Sequence, residues 1–184
     1  MSAPDNALLP AKLPADWTIS TVGAQFHVIL GKMLDSEKNI GTPKPYLGNR
    51  SVQWGRVDLS DLDQIKLTEG DIRKYRLQTG DLLVCEGGDI GRAAIWQDQL
   101  DECYFQKALH RLRPRGSYSP VLMRYLLEYY ARTGFLTNFA TQTSIAHLPK
   151  DKFVTVPLPL PTLPEQHAIA AALSDADGVV AGLE

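Results

Sequence analysis

The stretch Gly80-Asp-Leu-Leu-Val-Cys-Glu-Gly-Gly-Asp-Ile-Gly-Arg-Ala-Ala-Ile-Trp96 decides the fold expected of this chain. Its apolar run, residues 82–85, is typical of a buried strand. Gly87, Gly88 and Gly91 surround Asp89, a composition that favours a tight reversal. Residues 93–96 then supply a returning strand. The stretch therefore predicts an antiparallel hairpin.

A third strand is predicted directly downstream, at Ala108-Leu-His-Arg-Leu-Arg113. Apolar and basic residues alternate there, as expected of a half-exposed strand. The three strands would form a small antiparallel sheet with one core face. The other face would carry His110, Arg111 and Arg113, with Lys107 at the start of the strand. We expect the function to lie near this basic face.

Length and composition are those of one globular domain with a real core: 184 residues, 44% apolar and 22% charged. The net charge of -2 means that any nucleic-acid binding depends on local patches. No apolar run is long enough to span a membrane, and no signal peptide is apparent. Cys85 and Cys103 lack metal-ligand spacing, which favours two reduced thiols in a cytoplasmic protein.

The chain is expected to have three parts: a flexible leader (1–12), a domain (13–160) and a terminal helix (161–184). Ser119 and Pro120 are the cap and first residue of an internal helix that Gly134 would end. Three alternating prolines, at 157, 159 and 161, predict a stiff linker. The fold class is α/β of the α+β type. It comprises a mainly antiparallel twisted sheet and a few helices, followed by a protruding C-terminal helix.

The C-terminal helix has a clear start signal, because Thr162 and Glu165 fit the capping-box pattern. Its apolar residues recur at spacings of four, three, four and three, as in a heptad seam. Such a stripe packs either on a partner helix or on the domain itself. Its residues are Ile169, Leu173, Ala176, Val180 and Leu183.

Motifs for catalysis and metal binding are missing from the sequence. The glycine turn lacks the Lys-Ser/Thr of a phosphate loop, and a strand rather than a helix follows it. The histidines have no metal-ligand spacing, and no Gly-x-Ser-x-Gly elbow is present. Glu86 has no partners for general-base chemistry, and we expect it to pair with Arg92. We therefore predict no catalytic and no metal-binding residues.

Two groups of residues favour nucleic-acid binding. The first is Asn49, Arg50, Gln53, Trp54 and Arg56, and the second lies within residues 104–115. Arginine, asparagine and glutamine side chains match the edges of guanine and adenine, while lysine and arginine neutralise phosphates. The alternative is a merely solvated strand face.

The ordered motifs resemble those of a known family. The segments that carry the resemblance are Pro45–Gly55, the stretch 80–96, Gln106–Pro114 and Pro157–Ala170, with shorter pieces at 13–17 and 31–33. Together they resemble the DNA specificity subunit of type I restriction–modification systems. The match covers one target recognition domain (13–160) and the start of a conserved helix (161–184).

The resemblance implies a subunit that reads double-stranded DNA and is not itself an enzyme. In this family, modification subunits bind S-adenosylmethionine and methylate adenine. Restriction subunits add ATP- and magnesium-dependent translocation and cleavage. The chain itself would bind no cofactor. One recognition domain is present where the family usually has two, so the chain is either a fragment or a half-length form that pairs with itself.

Gly48 and Ser51 also depart from the residues common in the family, Arg and Asn, so this loop either reads different bases or only holds the backbone. Two other classes of function stay open: an adaptor that works through the heptad helix, and an enzyme whose site has no recognisable motif. The candidate DNA contacts are Arg50, Gln53, Arg56, Lys107, His110, Arg111, Arg113, Thr143, Ser144 and His147.

Overall fold

The computed structural model describes residues 13–141 and 146–182. The strands are β1 (Thr18–Thr21), β2 (Phe26–Leu30), β3 (Thr42–Leu47), β4 (Val52–Gln53), β5 (Arg56–Val57), β6 (Asp63–Leu67), β7 (Leu82–Cys85), β8 (Ala93–Ile95), β9 (Tyr104–Phe105), β10 (Leu109–Pro114) and β11 (Pro157–Leu160). The α-helices are α1 (Val22–Gln25), α2 (Glu69–Tyr75), α3 (Pro120–Arg132), α4 (Lys150–Phe153) and α5 (Leu163–Ala181), with 3-10 turns at Asn49–Ser51 and Phe135–Phe139.

A four-stranded antiparallel sheet, in the order β2-β10-β7-β8, lies at the centre of the domain. The predicted hairpin is confirmed: Leu82 lies opposite Ile95 and Val84 opposite Ala93. The predicted third strand, β10, pairs with β7 on one side and with β2 on the other. The predicted fold class, with a mainly antiparallel sheet, few helices and a terminal helix, is confirmed.

Both faces of this sheet are covered, so the prediction of a single core face is wrong. Val84 and Leu112 contribute to a core that includes α3. Leu83 and Leu109 point the other way, into a second core that contains Phe105. Because successive side chains of a strand alternate between faces, every residue of β10 from 109 to 112 is buried.

Three smaller sheets surround the central one, in the orders β6-β3-β9, β1-β11 and β4-β5. The last strand, β11, is the proline-rich segment that the sequence predicts to be a linker, and that prediction is wrong. Pro157 and Pro159 lie opposite Thr21 and Ile19 of β1. A two-stranded sheet has only edge strands, where a proline can occupy positions that donate no ladder hydrogen bond. Phe153 ends the helical turn α4, shortly before β11.

The two predicted longer helices begin as expected. The Ser119 hydroxyl accepts a hydrogen bond from Leu122 N (3.3 Å), and Gly134, at φ 72°, lies beyond the end of α3. Thr162 N donates to Glu165 Oε2 (2.9 Å) at the start of α5. Gln166 of α5 is buried and accepts from Ser119 N. From residue 171 to 180 the residues of the helix are exposed.

Residues 1–12, the expected leader, and Leu183 of the apolar stripe lie outside the described residues. None of the helices in the described parts combines the length and apolar character that crossing a membrane requires.

Candidate nucleic-acid interface

Four loops meet where β2 and β7 of the central sheet and β3 and β9 of the three-stranded sheet end, and where β10 begins. We call residues 48–51, 86–89, 106–108 and 146–147 the loop surface. Loops at the end of a rigid sheet are common positions for binding residues, because the scaffold fixes them while leaving them accessible.

The first two loops are joined by hydrogen bonds around Asn49. The side-chain Nδ2 of Asn49 donates to Gly87 O (3.2 Å), and the backbone carbonyl of Asn49 accepts from Arg92 Nη2 (3.0 Å). Within the same turn, Ser51 is buried and its hydroxyl accepts from Gly48 N (3.2 Å). Ser51 thus holds the backbone of the turn.

The segment at 146–148 is attached to the glycine turn through its backbone. Leu148 N donates to Glu86 O (2.7 Å), and Thr141 N donates to His147 O (2.7 Å). The imidazole of His147 packs on Gly87, where a Cβ atom would lie only 2.9 Å from Nδ1. Glycine at position 87 therefore allows the two segments to approach each other.

The loop surface presents three exposed groups that donate hydrogen bonds or carry positive charge. The side chain of Arg50 is 89% exposed and lies 3.7 Å from Asp61. Lys107 and His147 are also exposed. A long, solvated ion pair such as Arg50–Asp61 holds a guanidinium only weakly. Arg50, Lys107 and His147 are therefore accessible to a ligand within the part of the chain that the structure describes.

Two other candidates lie on the β4–β5 hairpin. Gln53 is half-buried, and its amide donates to Arg50 O (2.7 Å), so it borders the loop surface. Arg56 is exposed, 3.7 Å from Asp58, and lines a separate cavity of about 500 Å³ with Trp54, Arg124 and Asp177.

The prediction that β10 has an exposed basic face is wrong. His110 is 0% exposed and Arg111 4% exposed. Arg111 donates to Lys74 O and lies over the Phe105 ring. Arg113 makes two bonds of 2.7 Å to the buried carboxylate of Asp81. Because both faces of the sheet are covered, these three residues support the fold, and His110 and Arg111 are no longer candidate DNA contacts.

Burial lowers the pKa of His110 to about 4, so the imidazole is neutral at physiological pH. Its Nε2 lies 2.8 Å from Leu148 O, which can only accept a hydrogen bond. Nε2 therefore carries the proton. His110 is buried under the loop surface and holds the segment that presents His147.

The remaining site predictions have mixed outcomes. Thr143 and Ser144 lie outside the described residues. The expected Glu86–Arg92 ion pair is wrong, since Arg92 pairs instead with Asp89 at 2.9 Å, three residues before it. Sequence reasoning missed the organising role of Asn49, although asparagine in a predicted turn was an available signal. Within residues 13–141 and 146–182, no cluster of three or more metal-ligating side chains occurs.

The predicted stripe of α5 divides into a packed part and an exposed part. Ile169 packs against the core. Leu173 and Ala176 border a groove of about 520 Å³ that they share with Tyr125 and Tyr129 of α3. Val180 is 59% exposed.

Comparison with known proteins identifies the family. Residues 14–183 match the family model described as type I restriction modification DNA specificity domain. The specificity subunits of the type I restriction enzymes MjaX and MjaVIII from Methanocaldococcus jannaschii are 25% identical over 183 residues and 26% identical over 180 residues. Each alignment covers 92% of this chain but only 41% and 38% of the two relatives, so the chain spans about two fifths of their length.

Solved structures share the fold. A chain from a study of complex assembly and conformational transition of the type I R-M system superposes with a TM-score of 0.72 at 22% identity, over 98% of this chain and 42% of that one. The HsdS subunit from Thermoanaerobacter tengcongensis gives 0.65 at 21% identity, over 95% and 40%. The relatives' names agree with the prediction of a recognition component rather than an enzyme. The chain belongs to the type I restriction modification DNA specificity domain family, as its sequence motifs predict.

Proposed function

We propose that this chain recognises a specific double-stranded DNA sequence through the loop surface. It would act as the specificity part, or half-subunit, of a type I restriction–modification complex. The observation that carries the proposal is the position of Arg50, Lys107 and His147 on loops that hydrogen bonds join to one another. The overall charge of -2 gives the whole molecule no attraction for phosphates, so this local cluster would have to supply it.

The side chains of the loop surface suit two kinds of contact. The ammonium of Lys107 and the guanidinium of Arg50 can neutralise phosphates, which gives affinity without sequence preference. Arg50 also carries paired donors that can match the acceptors of guanine, and Gln53 carries a donor and an acceptor that can match adenine, in the major groove. A recognition surface needs both kinds, because phosphate contacts position the protein and base contacts specify the sequence.

Catalysis would belong to the partner subunits. Modification subunits would bind S-adenosylmethionine and methylate adenine at the sequence that this chain selects. A restriction subunit would use ATP and magnesium for translocation and cleavage. Support for these roles comes from the family membership and from the relatives' names. The same proposal places the chain in the cytoplasm, where buried reduced thiols such as Cys85 and Cys103 are usual.

The exposed half of α5 would associate with a second helix. A half-subunit needs a second recognition domain to read a split sequence, and the chain spans only about two fifths of its relatives' length. Pairing of two copies through Leu173, Ala176 and Val180 would supply that domain. If helix association occurred without any DNA binding, the adaptor function considered above would replace this proposal.

The test is DNA binding by the purified chain. A library of randomised duplexes is enriched on the chain, and affinities for the enriched and a scrambled duplex are measured at several salt concentrations. We expect Arg50→Ala and Lys107→Ala to weaken binding. A lost phosphate contact reduces the slope of log affinity against log salt by about 0.9. The matched control is Lys66→Ala, because Lys66 is exposed on β6 opposite Pro43, at the far end of β3. Enrichment of no sequence would contradict the proposal.

A further inference from the structure

Glu86 has a distinctive place on the loop surface. It directly follows β7, and its backbone is fixed on both sides: its N–H donates to Ala108 O (2.9 Å), and its carbonyl accepts from Leu148 N (2.7 Å). Cys85 before it is fully buried, and the next two residues are glycines. The half-buried Glu86 is therefore the one side chain that this part of the turn presents at the surface.

The carboxylate of Glu86 lies near the ammonium of Lys107 and the imidazole of His147. Lys107 and His147 are close enough that their charges oppose the rise in pKa that burial causes at Glu86. The ion pairs formed within the described residues nevertheless leave Glu86 out. Asp89, in the same turn, is different, because Arg92 neutralises it at 2.9 Å.

A carboxylate in this position can have only a narrow set of ligands on DNA. It repels phosphates and accepts hydrogen bonds without donating any. The groups on a major-groove edge that donate are the exocyclic amino groups of cytosine (N4) and adenine (N6). The neighbouring ammonium of Lys107 could hold a phosphate while a base edge approaches the carboxylate.

We infer that Glu86 is a specificity-determining residue whose carboxylate accepts a hydrogen bond from the exocyclic amino group of cytosine or adenine in the major groove. The inference rests on the proposed DNA recognition. In this role Glu86 makes binding selective for the DNA sequence, while its negative charge weakens the attraction of the loop surface for the DNA phosphates.

The experiment compares the sequences that the chain and its variants enrich from the randomised duplex library. Glu86→Ala removes the acceptor, and Glu86→Gln removes the charge while preserving the shape. For the unchanged chain we expect one position restricted to cytosine or adenine. For Glu86→Ala we expect that position alone to relax, with affinity for the preferred duplex about 10- to 100-fold lower. Affinity for a scrambled duplex should stay equal or rise, because a negative charge facing the phosphates is gone.

Glu69→Gln is the matched control, since it removes an exposed carboxylate from α2, outside the loop surface. It should leave the enriched sequence unchanged. Circular dichroism and thermal unfolding check the fold of each variant. If Glu86→Ala does not fold, Glu86→Gln is used instead, and partial relaxation at the same position is expected.

Base analogues identify the partner atom. At the restricted position, adenine is replaced by 2-aminopurine or cytosine by 2-pyrimidinone, each lacking the amino group in question. The unchanged chain should lose as much affinity as Glu86→Ala does, and the variant should lose nothing further. An enriched sequence that Glu86→Ala leaves intact overturns the role of Glu86 while DNA recognition stands. A chain that enriches no sequence overturns both.

Discussion

Arg124 of α3 and Asp177 of α5 join the domain to its protruding helix, with Nη2 of the arginine 2.7 Å from Oδ2 of the aspartate. The same oxygen accepts from the Tyr125 hydroxyl at 2.7 Å, and the guanidinium lies over the Tyr125 ring. Beyond residue 170 the helix is exposed, so this polar contact restrains a part of α5 that the apolar core does not reach.

Asp177→Ala should release the second half of α5 while leaving the domain folded. We expect faster amide hydrogen exchange over residues 174–182 and a global unfolding free energy changed by less than about 1 kcal/mol, because Asp177 is largely exposed. Asp175→Ala, an exposed neighbour on the same helix, is the control. Equal exchange in both variants would mean that the contact does not restrain the helix.

The contact should also weaken in acid. The hydrogen bond from Tyr125, followed by that from Arg124, lowers the pKa of Asp177. A carboxylate whose pKa is lowered by folding stabilises the fold above its unfolded pKa, and this contribution is lost as pH falls through the folded value. Exchange over residues 174–182 should therefore rise below the usual titration range of aspartate, and Asp177→Ala should abolish that rise.

The pair formed by Asp81 and Arg113 should be important for stability rather than for DNA contact. Asp81 is buried, and Arg113 is about one-third exposed. Asp81→Ala leaves the arginine uncompensated, and we expect a loss of roughly 3 kcal/mol in urea unfolding. The double variant Asp81→Ala with Arg113→Ala should recover part of the lost free energy of unfolding. Arg132→Ala removes an exposed partner of Glu128 and should cost less than about 1 kcal/mol. Similar losses for Asp81→Ala and Arg132→Ala would contradict the assignment.

His110 should make stability depend on pH in mildly acidic solution. Its pKa is about 4 when folded, against a usual value of 6.5. The unfolded chain therefore binds more protons between these values, and stability falls as pH decreases from 6.5 to 4. The full effect would be about 3 kcal/mol. His110→Gln, which retains a donor for Leu148 O, should reduce this dependence in urea unfolding between pH 4 and 7.5.

His167→Gln is the control for that titration, because His167 is exposed on α5. Burial also lowers the pKa of His27, which contributes in the same direction. The informative quantity is therefore the difference between His110→Gln and the unchanged chain. An identical pH dependence in the two proteins would show that His110 does not titrate as its burial implies.

The exposed stripe of α5 should govern association. Leu173 is 37% exposed and Val180 59%, so changing both to lysine should leave the domain folded. We expect light scattering to show a self-associated chain that becomes monomeric in the double variant. Ala171→Lys adds a charge to a different face of α5 and should leave the mass unchanged. A monomeric unchanged chain would contradict self-association, although not a partner helix of another protein.

Local signals in the sequence predict the elements better than their surroundings. The hairpin around Asp89, the Ser119 cap and the Thr162–Glu165 box each depend on residues close together in the chain, and each is confirmed. The environment of β10 depends on residues that are distant in the sequence. Arg113 finds Asp81, 32 residues away, and Arg111 finds the carbonyl of Lys74, 37 residues away. The sequence pattern of alternating apolar and basic residues is therefore the same whether the basic side chains are exposed to solvent or paired inside the protein.

The candidate site follows the same rule. Arg50, Lys107 and His147 could be named from residue type alone, because loop residues are usually exposed. Their assembly into one surface could not, since it depends on contacts such as Asn49–Gly87 that are set by the stacking of β3, β7 and β10. The proline-rich β11 was missed because its partner, β1, lies some 140 residues earlier in the chain.

The attachment of His147 to the glycine turn has a consequence for the divergence of sequences within the family. The bonds that hold this part of the loop surface, from Leu148 N to Glu86 O and from Thr141 N to His147 O, join backbone to backbone. They persist whatever side chains occupy positions 86, 107 and 147, whereas Gly87 must stay small. A lineage can therefore exchange the outward residues one at a time without rebuilding the frame that presents them, and under the proposed function each exchange would change the DNA preference.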